Sequence, residues 1–351
     1  MQYALAWQQE SARPPTDLRS ARNTTGGKCP CDTNDPPARI NTECVSQACY
    51  VISGMSLHCN SNTQPSCSNS LAGAVEMDFF TQFLSQSTEF RVYTGDITSG
   101  DVVRNRQFAD PTAELLECMK LQLERWSSRK ENLSYDNGCA AVKSIAPMSS
   151  KIELEGNRSN VDISVKLFLS QADVKAISEC VSAVLRELHV KRIDNIIIAL
   201  PPFDSSKSNA VSLTGQFLVL WPSLEVLISA GTVKEVGVAD LEYSDLSDLV
   251  SHLTGHVLPT VNHYNTSTCC KMSEQLVEFA NLHKISLVAH SDPHPFLTER
   301  QVQDLFTGCF RINEDIAKCW KATYACRYTV LEKCTSVIAF KGYFVHFVKM
   351  V

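Results

Sequence analysis

Short apolar runs of strand length alternate with amphipathic helical segments between residues 161 and 289. The runs are nearly continuous in aliphatic residues, which is typical of strands buried on both faces of a parallel sheet. The helical segment after the first run has Val174, Ile177, Val181 and Leu188 on one face. The predicted strands are Val161–Leu169, Ile193–Ala199, Val233–Val238, Pro259–Asn262 and Ile285–Ala289. Such alternation with short connections predicts an α/β fold with right-handed crossovers.

A (β/α)8 barrel of the TIM type is the architecture that we expect, because residues 89–351 are close to the ~250 residues typical of one. Residues 129–160 show only a weak apolar patch, so we expect the first strands to be degenerate. A doubly wound open sheet is the alternative, but it normally carries a glycine-rich phosphate loop that this chain lacks. The remaining predicted elements are strands at Phe90–Tyr93 and Ser336–Phe340 and helices at 112–128, 222–231, 241–253, 272–282, 299–309 and 313–333.

Residues 1–88 differ in composition from the rest of the chain. They are rich in Ser, Thr, Asn, Pro and Gln and show no sustained helix or strand period. Because such a segment buries too little apolar surface to offset its ordering entropy, we predict a disordered extension over 1–88 and a barrel domain over 89–351. Six of the fifteen cysteines lie in the first 67 residues with irregular spacing. In a chain of this length without a secretory signal, we expect reduced thiols.

Charge and hydropathy exclude two classes of partner. The net charge is −6, whereas a general nucleic-acid binder needs a basic face. No apolar run approaches the length of a membrane span. We therefore expect a cytoplasmic protein that binds neither nucleic acid nor membrane.

Several segments, in the same order along the chain, resemble the aldo-keto reductases. They are Ser164–Phe168, Asp194–Pro201, Ser223–Asp240 and Val261–Asn265. The resemblance implies an NADPH-binding barrel in which a tyrosine donates a proton, a lysine and an aspartate tune it, and a histidine orients the carbonyl. Lys166 matches the position of the lysine, but Ala199 occupies that of the histidine. No matching Asp-x-Ala…Tyr pattern lies between residues 94 and 160.

The expected cofactor contacts are altered as well. The Ser-Asn pair that holds the nicotinamide amide in that family is replaced by Ala239-Asp240, and its glutamine by His263. Lys341-Gly342-Tyr343 resembles a degraded contact to the cofactor phosphate, with a turn at the barrel edge as the alternative. We therefore expect no cofactor and no catalytic residues, with Lys166 and Ala199 as remnants of the site.

A narrower resemblance, from about Phe90 to the C-terminus, is to the modifier subunits of glutamate–cysteine ligase. It depends on Trp126-Ser-Ser, Lys166-Leu-Phe, Ala199-Leu-Pro-Pro, Cys269-Cys270, His290-Ser-Asp-Pro and Lys341-Gly-Tyr. The resemblance implies a non-catalytic subunit that forms a heterodimer with the catalytic subunit of the ligase. It further implies higher substrate affinity and weaker feedback inhibition by glutathione.

Two side-chain groups remain as site candidates. Cys269 and Cys270 are predicted to contact the partner and to be redox-active, with a buried apolar pair as the alternative. His283, His290 and His294 lack the i, i+4 spacing of a helical metal site, so we expect no metal there. We expect the docking surface at the carboxyl ends of the strands, including Cys269-Cys270 and the turn His290–Pro293.

The sequence leaves two other functions open. The first is an active NADPH-dependent reductase of small carbonyl compounds that uses Lys166 and a tyrosine not recognised in the sequence. The second is a cofactor-binding sensor without chemistry.

Overall fold

Strands and helices alternate over most of the chain in a computed structural model, which describes residues 79–98, 106–129, 134–136, 139–142, 154, 158–202, 211–266 and 272–350. The helices are α1 Phe79–Gln86, α2 Pro111–Arg129, α3 Val174–Leu188, α4 Leu213–Ser229, α5 Tyr243–His252, α6 Glu274–His283, α7 Glu299–Phe310 and α8 Glu314–Lys318. The strands are β1 Glu89–Tyr93, β2 Ser134–Asp136, β3 Cys139–Val142, β4 Val161–Leu169, β5 Ile193–Ala199, β6 Val233–Ala239, β7 Val261–Asn265, β8 Ser286–His290, β9 Trp320–Glu332 and β10 Ile338–Lys349.

Five of these strands form a parallel block. Strands β4 to β8 lie side by side in chain order, each joined to its neighbour by parallel pairing. Helices α3 to α6 connect consecutive strands of this block. The expected α/β class, with aldo-keto-reductase-like strand–helix units, is confirmed here.

A long antiparallel hairpin adjoins the block. Strand β9 pairs with β4 and β10 pairs with β9, both antiparallel, and β1 pairs antiparallel with β10. The sheet order is β2-β3-β1-β10-β9-β4-β5-β6-β7-β8. The short strands β1, β2 and β3 thus join the sheet through the hairpin and not through the parallel block. The first strands therefore depart from the regular strand–helix pattern, as expected from the sequence.

The two faces of the sheet are covered by different helices. Alternate residues of β4, such as Val165 and Leu167, pack with α3 to α6 in one apolar core. The other face packs against α2 and α7, and Phe168, Ile197 and Ala199 belong to this second core. Since Lys166 lies between Val165 and Leu167, its side chain points toward the second core.

Three sequence predictions are wrong at the level of elements. Residues 313–333 were expected to be helical, but only Glu314–Lys318 is; Trp320–Glu332 forms β9. Pro222 was expected to begin a helix, yet it lies inside α4, which begins at Leu213 after the cap Ser212. Residues 79–86, within the segment expected to be disordered, form α1, and its Leu84 is fully buried.

The physical reasons are local in two of these cases. The Ser212 hydroxyl accepts from the Gly215 amide, which starts α4 nine residues before the proline. In β9, Tyr324, Cys326, Tyr328 and Val330 alternate toward the first core, a period of two rather than 3.6. Among the described helices, none combines the length and apolar character needed to span a bilayer.

Candidate functional site

The carboxyl ends of the parallel strands bring the residues singled out in the sequence close together. Lys166 lies near the end of β4, and Ala199, Ala239 and His290 are the last residues of β5, β6 and β8. His263 lies in the middle of β7. All five are buried, so this end of the sheet is packed rather than open.

Asp292, two residues beyond β8, is the centre of a buried ionic cluster. Its Oδ2 atom lies 2.8 Å from Lys166 Nζ. Arg327 on β9 binds the same carboxylate through both of its Nη atoms. The Nη1–Oδ1 distance is 2.5 Å and the Nη2–Oδ2 distance is 3.0 Å. Lys166 and Arg327 are direct neighbours in the β4–β9 register. One carboxylate therefore holds two cations, each with no more than 5% of its side chain exposed.

The charges in this cluster shift one another's protonation. Burial alone would raise the pKa of Asp292, but Arg327 and Lys166 hold it well below its usual value. Burial lowers the pKa of Lys166, which Asp292 opposes and Arg327 reinforces. Burial and the neighbouring Lys166 also lower the pKa of His263 well below its usual value. The cluster therefore favours an ionised Asp292 and a neutral His263.

A second layer of polar contacts holds Asp292 in place. Its backbone N–H donates to His290 Nδ1 at 3.1 Å, and its carbonyl accepts from Asn265 Nδ2 at 2.8 Å. His290 Nε2 lies 3.0 Å from Asp240 Oδ1. Asp240 has a left-handed backbone with φ of 63°, and His294 contacts it at 3.9 Å. His290 Nδ1 also lies 3.2 Å from Asp292 Oδ2, so the histidine at the end of β8 contacts both carboxylates.

An aromatic layer covers the cations. The Phe168 ring lies 5.3 Å from Lys166 Nζ and 5.6 Å from the Arg327 guanidinium carbon. Phe296 stacks on Phe168 with ring centroids 3.7 Å apart. These contacts stabilise the cations through the faces of the rings and keep water from them.

Tyr343 lies beside the Asp292 cluster, but its hydroxyl does not bind Lys166. Its hydroxyl donates to Glu114 Oε1 at 2.7 Å. Burial raises the pKa of Tyr343 well above its usual value, although Arg327 opposes this. In the described part of the chain, no tyrosine hydroxyl is hydrogen-bonded to Lys166 Nζ.

Not every predicted site residue lies in this cluster. Cys269 and Cys270 fall outside the described residues. His283 lies at the end of α6 against Phe279, apart from His290 and His294. The turn His290–Pro293, expected on a docking surface, instead has His290 and Asp292 buried, so that expectation does not hold for these two side chains.

Sequence reasoning missed three members of the cluster. Arg327 was assigned to a helix, Glu114 carried no motif, and Asp292 was noticed only within His290-Ser-Asp-Pro. Lys341 and Tyr343 lie within β10 rather than in a turn at the barrel edge, which corrects that alternative. The alternation of residues in β9 was a signal for a strand, although it does not specify that Arg327 pairs with Lys166.

The described residues do not fit the nicotinamide cofactor that the aldo-keto reductase resemblance implies. Ala239 offers no hydrogen-bonding side chain, and the Asp240 carboxylate is engaged by His290. Lys341, which in the sequence resembles a degraded contact to the cofactor phosphate, lies 2.9 Å from the Glu114 carboxylate. The one cation expected for the phosphate is therefore already neutralised.

Comparisons with known proteins give the family of the chain and the kinds of protein that it resembles. The model of the family described as "Aldo/keto reductase family" matches residues 142–343. The glutamate–cysteine ligase regulatory subunit of Homo sapiens is 26% identical over 263 residues, 74% of this chain and 93% of that protein. The subunit of the same name from Mus musculus matches with the same figures.

Solved structures match only in part. An aldo/keto reductase from Brucella melitensis has a TM-score of 0.30 at 21% identity, over 37% of this chain and 46% of its own. An aldo-keto reductase of the silkworm Bombyx mori has a TM-score of 0.30 at 16% identity, over 41% and 47%. The family model, by contrast, covers more than half of the sequence. The chain therefore belongs to the aldo/keto reductase family, and it is similar over most of its length to regulatory subunits of glutamate–cysteine ligase.

Proposed function

We propose that this chain is a non-catalytic regulatory subunit that binds the catalytic subunit of glutamate–cysteine ligase in the cytosol. In this role it raises substrate affinity and weakens feedback inhibition by glutathione. The relatives that carry this name span 74% of the chain, which supports the assignment. The physical basis is preferential binding to the active conformation of the partner, which shifts its population.

The observation that carries the proposal is that, among the described residues, no tyrosine hydroxyl is hydrogen-bonded to the Lys166 amine, which Asp292 binds instead. In a reductase of this family, the lysine tunes a tyrosine that donates a proton. Here only 3% of the Lys166 side chain is exposed, and the Tyr343 hydroxyl donates to Glu114 instead. With Ala199 at the position of the histidine, the groups that assist hydride transfer are replaced by a closed ionic cluster.

Co-purification tests the partnership. The full chain is mixed with the catalytic subunit at micromolar concentration, and we expect one co-eluting complex with a raised inhibition constant for glutathione. A matched sample of the chain alone is incubated with NADPH and a panel of aldehydes, where we expect no oxidation of the cofactor. Separate elution with unchanged glutathione inhibition would contradict the proposal, and aldehyde turnover would favour the reductase alternative.

The proposal includes an intermolecular disulfide through Cys269 or Cys270. Vicinal cysteines rarely pair with each other without strain, so a thiol of the partner is the better second sulfur. One thiol from each chain loses its proton and one electron to glutathione disulfide, which is reduced to two glutathione molecules. We expect a reductant-sensitive covalent dimer after such oxidation, lost in Cys269→Ser/Cys270→Ser and retained in the control Cys334→Ser. Covalent dimer in the double variant would refute this part.

A further inference from the structure

Three neighbouring strands place a glutamate, a cysteine and a histidine side by side, away from the Asp292 cluster. Strand β1 lies between β10 and β3 and contributes Glu89. Cys139 begins β3, and His346 lies opposite Arg91 of β1 in the β1–β10 register. One ligand-type atom of each residue lies within 4.8 Å of the other two. His346 Nε2 is 3.0 Å from Glu89 Oε2.

The histidine is held in an orientation that suits a ligand. Its other ring nitrogen, Nδ1, lies 2.7 Å from the Thr323 hydroxyl of β9. Metal-binding histidines characteristically use one nitrogen for the metal and the other for such a hydrogen bond. The His346 ring also stacks on Tyr324, with centroids 5.1 Å apart, which fixes its plane.

The surrounding charges are compatible with a divalent cation. Arg91 is the neighbouring positive group, and it is bound to the Glu179 carboxylate at 2.5 Å and to the Tyr324 hydroxyl at 3.1 Å. Glu179 offsets this charge in part, since it also binds Lys175 Nζ at 3.2 Å. The Glu89 carboxylate and a Cys139 thiolate add two negative charges, which balance one divalent ion.

We propose that Glu89, Cys139 and His346 bind one Zn²⁺ ion, with a water molecule as the fourth ligand. Zinc takes mixed S, N and O ligands at about 2.0 to 2.3 Å, so tetrahedral ligands lie about 3.4 Å apart. The present spacing is within a small side-chain adjustment of that value. The Glu89 side chain is 41% exposed, which provides the access route and room for the water.

The bound ion joins β1, β3 and β10, the part of the sheet in which the barrel is degenerate. These strands are short or irregular, so the apolar contact area between them is small. Metal binding adds folding free energy that this contact area does not supply. The site does not depend on the proposed regulatory function, because none of its residues belongs to the Asp292 cluster.

Zinc titration of the full, reduced and metal-free chain tests the proposal, in competition with a chromophoric chelator. The chain has fifteen cysteines, any of which can contribute to the total zinc bound. The proposal is therefore tested by the difference in zinc affinity between variants and not by the total amount of zinc bound. We expect Cys139→Ser and Glu89→Gln each to weaken one equivalent of zinc about a hundredfold or more. Thr323→Val weakens it about 10- to 100-fold. The control Cys334→Ser removes an exposed thiol and leaves the titration unchanged.

Cobalt provides a second measurement that reports the ligands directly. With Co²⁺ bound, we expect a thiolate-to-metal charge-transfer band that disappears in Cys139→Ser and persists in Cys334→Ser. If Cys139→Ser does not fold, Glu89→Gln decides, because its partly exposed side chain tolerates the change. Equal zinc stoichiometry and affinity in the wild type, Glu89→Gln and every folded Cys139 variant would overturn the proposal.

Discussion

Asp292 is the residue on which the buried polar cluster depends. Its carboxylate binds Lys166 and Arg327, and its backbone is held by His290 and Asn265. Removing it leaves two buried cations without a counter-charge, whereas removing Lys166 leaves a complete bidentate pair with Arg327. The two positions are therefore expected to differ in their effect on stability.

We expect Asp292→Asn to lower the free energy of unfolding by about 3 to 5 kcal/mol, because buried charges lose their partner. Lys166→Met is expected to stay within about 1 kcal/mol of the wild type, since an apolar chain of similar volume replaces a costly buried charge. Urea unfolding of both variants checks this. Equal losses would show that Lys166 is as necessary to the cluster as Asp292.

Asp162 gives a prediction about pH. Burial and the nearby Asp194 raise the pKa of Asp162 to about 6, and the Asp194 carboxylate accepts from the Ile163 amide. The folded state thus binds a proton more tightly than the unfolded chain, whose Asp pKa is about 3.9. Stability therefore falls as pH rises from about 4 to about 6, and the loss persists above that range.

Asp162→Asn removes this loss. We expect the variant to be more stable than the wild type at pH 7 by about 1 to 2 kcal/mol, after discounting for the partial exposure of Asp162. At pH 4 the two proteins are expected to be nearly equal. Thermal unfolding across this range measures the difference, and a gap that does not grow with pH would contradict the explanation.

How much of the site could be predicted from the sequence depended on distance along the chain. Lys166 lies near the end of β4 and Ala199 ends β5, the next parallel strand, so their proximity follows from the strand pattern alone. Arg327 and Glu114 reach the cluster from distant segments, through an antiparallel pairing and a helix on the second core. No local pattern specifies such contacts, which is why these partners were not predicted.

Individual elements show the same limit. The helix α3 was predicted because its apolar stripe is regular, and Asp173 caps it by accepting from the amides of Lys175 and Ala176. In α4 the proline misled the prediction, since Pro222 occupies the interior of a helix that apolar packing of Phe217, Leu220 and Leu224 sustains. Tertiary packing outweighed the local preference of one residue.

Strand β10 contains a close approach that only glycine permits. A Cβ atom on Gly342 would lie 2.2 Å from the buried Tyr328 hydroxyl and 2.5 Å from the Gly95 carbonyl oxygen. We expect Gly342→Ala to destabilise the protein by about 1 to 3 kcal/mol through overpacking. The matched control is Gly308→Ala in α7, where a Cβ meets nothing within 4 Å.

The Gly308→Ala control is expected to be neutral or to stabilise the protein by about 0.5 to 1 kcal/mol, because a helix interior is more stable with alanine than with glycine. Chemical denaturation of both variants measures the contrast. A Gly342→Ala protein as stable as the wild type would show that β9 and β10 separate more easily than their packing indicates.

At the scale of the whole molecule, the fold retains the strand–helix block of a reductase and fills its end with bound charges. Lys166, Asp292 and Arg327 neutralise one another, and Phe168 and Phe296 cover them. Such an arrangement stabilises a rigid scaffold rather than a reacting substrate. A rigid scaffold is well suited to recognising one conformation of a partner protein.

The central claim is that this chain acts by binding and not by chemistry. The most direct measurement titrates the chain, as wild type and as Lys166→Met, into the catalytic subunit of glutamate–cysteine ligase at a fixed inhibitory concentration of glutathione. We expect saturable recovery of ligase activity, with the same curve for both proteins. A flat titration with the wild type, or activation that is lost with the Lys166 amine, would contradict the claim.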